Sequence, residues 1–363
     1  MSKVTFQKNT TPFYSQLKKE VDAYFKEKNL QKTGNWKLFS KSLILIPLAI
    51  LTFFSLLYFH DSMPWWLSIL LCAELGLTLA SIGFNVMHDA CHGSYSQKQW
   101  VNDLLGYSLN AMGGNSFIWK QKHNIIHHTY TNVDGIDDDI AKSPLMRQCH
   151  TQKWVPAHRY QHFYVFGVYA ISSFAWIFLM DFQKYLNRSI YRTKMWEVDA
   201  KEKFVFWFSK IYYVLVFVLL PIYMVGLKLW AIGFSIMHIA MGLTLALVFQ
   251  LAHVVEGAHF EEAYDDKNIE NDWAIHQVVT TANFAPKNHL VRWFVGGLNY
   301  QIEHHLFPKI SHVHYPAISK IVKRICSEYN IKYNEFKTTR GAIISHLKMM
   351  KEFGNTPPQQ LTH

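Results

Sequence analysis

The residues best equipped for chemistry in this chain are its histidines, 20 in 363 residues. Three clusters stand out: His88-Asp89-Ala90-Cys91-His92, His123-Asn124-Ile125-Ile126-His127-His128 and Gln301-Ile302-Glu303-His304-His305; His253 stands alone at the end of an apolar run. On a helix, residues i and i+4 project from the same face. An H-x-x-x-H spacing therefore aims two imidazoles at one point, and H-x-x-x-H-H turns a third toward a neighbouring point. Each neutral imidazole offers one nitrogen to iron, zinc, copper or nickel. Seven clustered histidines and His253 are too many for one tetrahedral zinc. They match two metals with open positions for dioxygen. The competing reading, core histidines or a solvated polar face, suits His253 better than it suits three clusters together. His60, His150, His158, His162, His238, His312, His314, His346 and His363 are read as ordinary.

Metal-bound histidines commonly donate their other ring nitrogen to a carboxylate, a carbonyl or water. Asp89, Asp134, Asp137, Asp138, Asp139, Glu256 and Glu303 are candidates for that part. For Asp137–Asp139 taken singly, a solvated acidic loop is the favoured expectation. Asn132 and Asn283 are candidates for holding waters or a headgroup.

The elements that must position these groups are long apolar runs. About 20 apolar residues cross a bilayer, and the runs 42–59, 65–87, 204–225 and 229–252 are long enough. The first two are joined by His60-Asp61-Ser62-Met63-Pro64 and the last two by a turn at Gly226, so two helical hairpins are expected. A fifth run, 163–180, lies between the second and third histidine clusters. If those clusters build one site, an even number of crossings must separate them. The second hairpin already supplies two, so 163–180 is expected to be an interfacial or protein-buried helix. Residues 13–28 carry Leu17, Val21, Tyr24 and Phe25 on one helical face and should lie on the membrane or on the protein.

Composition agrees with a membrane protein. Half of the residues are hydrophobic and they fall into runs rather than being evenly spread. The net charge of +10 reads as basic loops facing an anionic leaflet, not as a nucleic-acid signal. The basic residues lie in the N-terminal segment, around Arg188, Arg192, Lys194, Lys201 and Lys203, and in the C-terminal segment; the hairpin loops hold only Lys228. The positive-inside rule puts the histidine clusters and both termini in the cytoplasm. No early apolar stretch suggests a cleavable signal peptide. Cys72, Cys91, Cys149 and Cys326 form no C-x-x-C pair, which argues against a disulfide scaffold or structural zinc. The residues after Phe353, including Pro357 and Pro358, are expected to fray.

In its clusters the chain resembles the membrane fatty acid desaturases: HDACH at 88–92, HNIIHHTYTNVDGIDDDI at 123–140 and QIEHHLFP at 301–308, with paired apolar runs before the first box and before the third. The glutamine opening the third box resembles the front-end group, which desaturates between an existing double bond and the carboxyl end. The resemblance implies two iron ions, an acyl-CoA or acyl-lipid substrate, dioxygen as oxidant and an external electron donor. It implies His88, His92, His123, His127, His128, His304 and His305 as ligands, and His253 by likeness to enzymes with a metal-binding histidine ending the fourth span. Gln301 stands where other desaturases carry histidine; it binds through its carbonyl oxygen, acts through water, or orients a neighbour. The sequence contains no HPGG haem motif, and its first 40 residues are short for a fused cytochrome b5 domain. A separate donor, a ferredoxin or free cytochrome b5, is therefore expected to dock on the basic cytosolic face.

These observations lead to an all-α integral membrane protein: four transmembrane helices in two hairpins with a cytosolic helical cap holding a di-iron site. The expected divisions are a cytosolic segment 1–40, a membrane desaturase domain 41–307 carrying the histidine-box cap, and a cytosolic segment 308–363. The expected reaction is insertion of a cis double bond into an acyl chain that lies in an apolar tunnel. The tunnel walls are expected from the second and fourth spans and residues 107–119. A lipid hydroxylase would use the same histidines. A histidine-lined metal transporter would need polar residues at mid-bilayer depth, where only His238 lies.

Overall fold

The computed structural model describes residues 4–7, 11–141, 144–263 and 267–355. His363, Pro357 and Pro358 lie outside the described residues. Among the described residues, four helices are long and apolar enough to cross a membrane: α2 (Trp36–Tyr58), α3 (Trp65–Cys91), α7 (Ala200–Val225) and α8 (Leu227–His253). They contain 23 to 27 residues. At about 1.5 Å per residue each exceeds a hydrocarbon core of about 30 Å. All four apolar runs expected from the sequence are present, and each helix extends a few residues beyond its run.

Local chemistry sets the ends. Asn35 caps α2 by accepting from the Lys37 amide, and Asp199 caps α7 by accepting from Glu202. Gly226 joins α7 to α8 at φ 80°, a conformation that costs glycine little. Near the end of α3, Gly83–Met87 widens into a π-helical stretch before His88–Cys91. α3 is the innermost of the four and packs against both α2 and α8. Gly76 permits the contact with α8: a Cβ there would stand 2.2 Å from the Met237 carbonyl.

The fifth apolar run is not one straight helix. It forms α5 (Pro156–Ala170) and α6 (Ser172–Asn187), bent by 59°. The corner lies against α8 at Gly242, where a Cβ would meet the Tyr169 and Ala170 carbonyls at 2.7 and 2.8 Å. Val165, Tyr169, Ser173 and Ile177 face the protein, while Phe163, Ile171, Phe174 and Leu179 are exposed. The run is thus half buried.

Shorter elements gather around the ends of α3 and α8. The sequence left two surfaces open for the N-terminal amphipathic helix, and it lies on the protein. Phe13, Leu17, Val21 and Phe25 of α1 (Phe13–Glu27) join Ile318, Val322 and Ile325 of α11 (Tyr315–Glu328) in one core. An Arg324–Glu20 ion pair ties the two helices. Also here are α4, which is Ser116–Lys120 continued by the π-helical stretch Gln121–His127, α9 (Trp273–Val279) and α10 (Gln301–Leu306). α12 (Thr339–Asn355) carries the C-terminal end of the described chain, so Gly354 and Asn355 are helical rather than frayed. All four cysteines are free.

Candidate metal centre

Each histidine of the three clusters, together with His253, reaches one buried centre. α3 brings His88, and His92 caps its end. α4 brings His123 and His127, with His128 as its cap. α8 ends on His253, and α10 carries His304 and His305. The ligand atoms of His88, His92, His123 and His304 lie within 4.8 Å of one another, as do those of His127, His253 and His305. His128 stands between the two sets. Its Nε2 is 3.3 Å from Nε2 of His123 and 3.0 Å from Nε2 of His304, and its ring stacks on His305 at 4.4 Å.

The π-helical winding of α4 explains how a histidine at the fifth position joins this group. In an α-helix the fifth residue on has turned roughly 140° away from the first. Here the His128 amide bonds to the His123 carbonyl, an i→i+5 closure. That wider turn returns His128 to the side of His123.

The donor set fits a metal. Several of these histidines hold one ring nitrogen through an outer partner and aim the other inward. His127 Nδ1 donates to Asp137 Oδ2 at 3.0 Å, and its Nε2 has no hydrogen-bond partner. His305 Nδ1 donates to Gln277 Oε1 at 2.9 Å, and its Nε2 is likewise unpartnered. His304 Nδ1 pairs with the Tyr315 hydroxyl at 3.1 Å. His92 Nε2 and both ring nitrogens of His253 also lack partners. Such buried unpaired nitrogens are costly unless a cation takes their lone pairs. Burial, and then the neighbouring imidazoles, holds His92, His123, His128, His304 and His305 well below the usual histidine pKa. They are therefore neutral, the form that binds metal.

The carboxylates divide. Asp137, Asp138 and Asp139 are buried, which overturns the expectation of a solvated acidic loop. Asp137 holds His127, and its other oxygen accepts the Asp139 amide. Asp139 pairs with Lys122 at 2.7 Å and lies 3.6 Å from His127 Nδ1. Asp138 instead binds Lys184 at 2.6 Å. The sequence hid this because the compensating lysines lie on other elements. Asp89 lies 4.0 Å from His88 Nδ1. Asp134 turns away to Thr151, and Glu256 pairs with Lys348 in solvent. Glu303 also faces away: Asn283 and Tyr333 donate to its carboxylate, which burial pushes up to about 7. Asn283 thereby serves the third box as a brace, and its Oδ1 accepts the Ile302 amide. Asn132 donates to the His253 carbonyl at 2.9 Å, with its own backbone at φ 57°. Gln301 is buried at the start of α10.

Gln277, Tyr315 and His312 were not singled out in the sequence. A lone glutamine, tyrosine or histidine carries no spacing signal. An apolar cavity is present among the long helices. It measures about 410 Å³ and lies among α2, α3, α7 and α8, between Phe53, Trp65, Cys72, Phe217 and Trp230. That is the end of the helices away from the histidines, and residues 107–119 take no part in its lining.

Four helices apolar enough to cross a membrane and a buried histidine centre able to hold metal are thus joined in one molecule. Comparison with known proteins gives the family. Residues 64–337 match the fatty acid desaturase family model. The chain is 37% identical to the sn-1 linoleoyl-lipid 6-desaturase of Arthrospira platensis over 362 residues, covering 98% of this chain and 96% of that protein. The Synechocystis protein of the same name is 35% identical over 341 residues, 93% of this chain and 94% of that one. The acyl-lipid (8-3)-desaturase of Physcomitrium patens is 34% identical over 351 residues, 95% of this chain and 72% of that one. The chain belongs to the fatty acid desaturase family. It is an oxidoreductase that desaturates fatty acids.

Proposed function

We propose that the eight convergent histidines bind two iron ions and that the protein is a front-end acyl-lipid desaturase acting on a linoleoyl-type chain. The observation that carries the metal reading is the convergence of His88, His92, His123, His127, His128, His253, His304 and His305, with His92, His127, His253 and His305 each keeping a buried ring nitrogen that has no hydrogen-bond partner. The glutamine of the third box and the names of the two cyanobacterial relatives support the front-end position and the glycerolipid carrier. Gln301, buried at the start of α10, acts beside this set as a weaker ligand or through water.

The balanced reaction is R–CH2–CH2–R′ + O2 + 2 e⁻ + 2 H⁺ → R–CH=CH–R′ + 2 H2O. The electrons come from a separate carrier, a ferredoxin or cytochrome b5. Iron, when bound, supplies the oxidising power that no side chain has against an unactivated C–H bond. The protein supplies the rest. Neutral imidazoles give the centre its nitrogen ligands, and Asp137, Gln277 and Tyr315 fix their ring orientation. Burial of all eight rings keeps bulk water out.

In this reading α2 with α3 and α7 with α8 are two hairpins that enter and leave on one side. The histidine centre, the helical cap and both termini are cytoplasmic, as the loop lysines and arginines favour. The bent pair α5–α6 returns to the side it left, which keeps the number of crossings between His128 and His304 even.

The test is fatty-acid profiling by gas chromatography–mass spectrometry. A host expressing this chain with a ferredoxin or cytochrome b5 is fed linoleate and compared with a His304→Ala control. The expected result is a new acid with a third double bond on the carboxyl side of the existing pair, absent from the control. A hydroxylated product would make the enzyme a hydroxylase, and a new bond on the methyl side would end the front-end reading.

A further inference from the structure

We propose that Lys41 and His312 are positioning residues for the first histidine box, acting through Asp89 on His88. The inference rests on the reading that these histidines hold iron. Lys41 lies in α2, only 6% exposed. A buried ammonium is costly without partners. Its Nζ donates to Asn85 Oδ1 at 2.8 Å and to His312 Nε2 at 3.0 Å. The Asn85 amide is oriented independently, because its Nδ2 donates to the Ser81 and Phe294 carbonyls at 3.0 and 2.9 Å.

Lysine can only donate. His312 Nε2 must therefore accept, and the ring proton must sit on Nδ1. That nitrogen donates to Asp89 Oδ2 at 3.0 Å. Ser311 Oγ donates to the same oxygen at 2.7 Å and the His312 amide approaches it at 3.3 Å. These donors all hold Oδ2, and Oδ1 is left toward His88 Nδ1, 4.0 Å away. His88 Nδ1 has no hydrogen-bond partner, while His88 Nε2 faces His123 Nε2 at 3.2 Å. This chain of contacts holds the Asp89 carboxylate on the Nδ1 side of His88, 4.0 Å away, and leaves Nε2 toward the centre. Lys41 locks the tautomer of His312, His312 pins the carboxylate of Asp89, and Asp89 favours the proton on His88 Nδ1.

The backbone is shaped for this arrangement. Gly296 and Gly297 have φ 59° and 67°. A Cβ on Gly297 would stand 2.8 Å from Cβ of His312, and one on Gly296 would stand 2.5 Å from the Phe84 carbonyl beside the first box. Two glycines ahead of the third box therefore let the backbone pass close to the end of α3 on one side and to His312 on the other. Positions 41, 89 and 312 belong to different parts of the chain, and nothing in their local spacing marks them as a group.

The experiment uses the full-length protein in detergent or vesicles, loaded with ferrous iron. The rate of iron release into excess chelator is measured for wild type, Asp89→Asn, His312→Leu, Lys41→Met and the Lys41→Met/His312→Leu double variant. The melting temperature of each is recorded with and without iron. Loss of an outer partner typically weakens metal binding about 10–100-fold. Asp89→Asn and His312→Leu should release iron faster by that factor, and Lys41→Met by about tenfold. The double variant should be no faster than His312→Leu alone, because Lys41 acts through that ring. The iron-dependent rise in melting temperature should shrink in each variant, which a merely structural role would not produce. Wild-type release rates in Lys41→Met and His312→Leu, with Asp89→Asn accelerated, would overturn the proposal, as would simple additivity in the double variant. If His312→Leu fails to fold, Lys41→Met decides. A wild type that binds no iron would instead reject the parent reading.

Discussion

Two groups of buried histidines lie in this molecule, and they are treated in opposite ways. Inside the helix bundle, His238 bonds through Nδ1 to the Ser173 hydroxyl and through Nε2 to the Tyr213 hydroxyl, both at 2.9 Å. His346 does the same with the Val254 carbonyl at 2.7 Å and the Tyr169 hydroxyl at 2.8 Å. Every ring nitrogen in that pair has its partner. At the ends of α3, α4, α8 and α10 the histidines are as deeply buried, yet His92, His127, His253 and His305 each keep a nitrogen with none. Burial of histidine is thus not the mark of a metal site here. Unpaired nitrogens aimed at a common point are, because a fold dissipates that cost only if something occupies the point.

The sharpest way to break this contrast is to remove the histidine that stands between the two sets. His128→Ala should empty both positions and reduce product formation by more than about 100-fold, beyond the loss expected for an outer partner. Iron per chain by plasma emission and product by gas chromatography are the measurements. His253→Ala should be more selective. It removes one donor from the set of three and should lower iron toward half of the wild-type content, with product formation at background. An equal loss of both irons would mean that the two sets are one.

Smaller effects follow at the partners. Asp137→Asn keeps the shape but weakens the acceptor for His127 Nδ1. Iron affinity should fall about 10–100-fold, measured by competition with a calibrated chelator. His238→Phe tests the other side of the comparison. It leaves the buried Tyr213 hydroxyl without its partner, while Ser173 Oγ keeps the His238 carbonyl, and should cost about 1–3 kcal/mol of stability, seen as a lower melting temperature with iron content unchanged. Loss of iron in that variant would erase the distinction drawn above. Cys72→Ser, in the lining of the apolar cavity away from the histidines, should leave iron and product formation at wild-type levels.

Much of this was legible in the sequence. Four apolar runs marked the four long helices, since a spanning helix must be apolar over its whole length. The histidine spacings marked seven of the residues that converge on the candidate centre, and the apolar run before His253 marked the eighth. Local periodicity was sufficient there because each signal lies within one element. The amphipathic stretch near the N-terminus marked a helix, but its partner, α11, was invisible from its own residues.

What the sequence determined by itself is therefore the inventory: which segments are apolar, which imidazoles share a helical face, and which family the motifs belong to. The tertiary structure alone decided the use of that inventory. It broke the fifth apolar run at Ile171 against Gly242, wound α4 widely enough to return His128 to the centre, and buried Asp138 and Asp139 against Lys184 and Lys122. It also paired Asp89 with His312 across 223 positions of the chain. The physical reason is common to all of these. Each depends on a partner from another element at a distance of a few ångströms, and such partnerships leave no periodic trace in the chain that carries them.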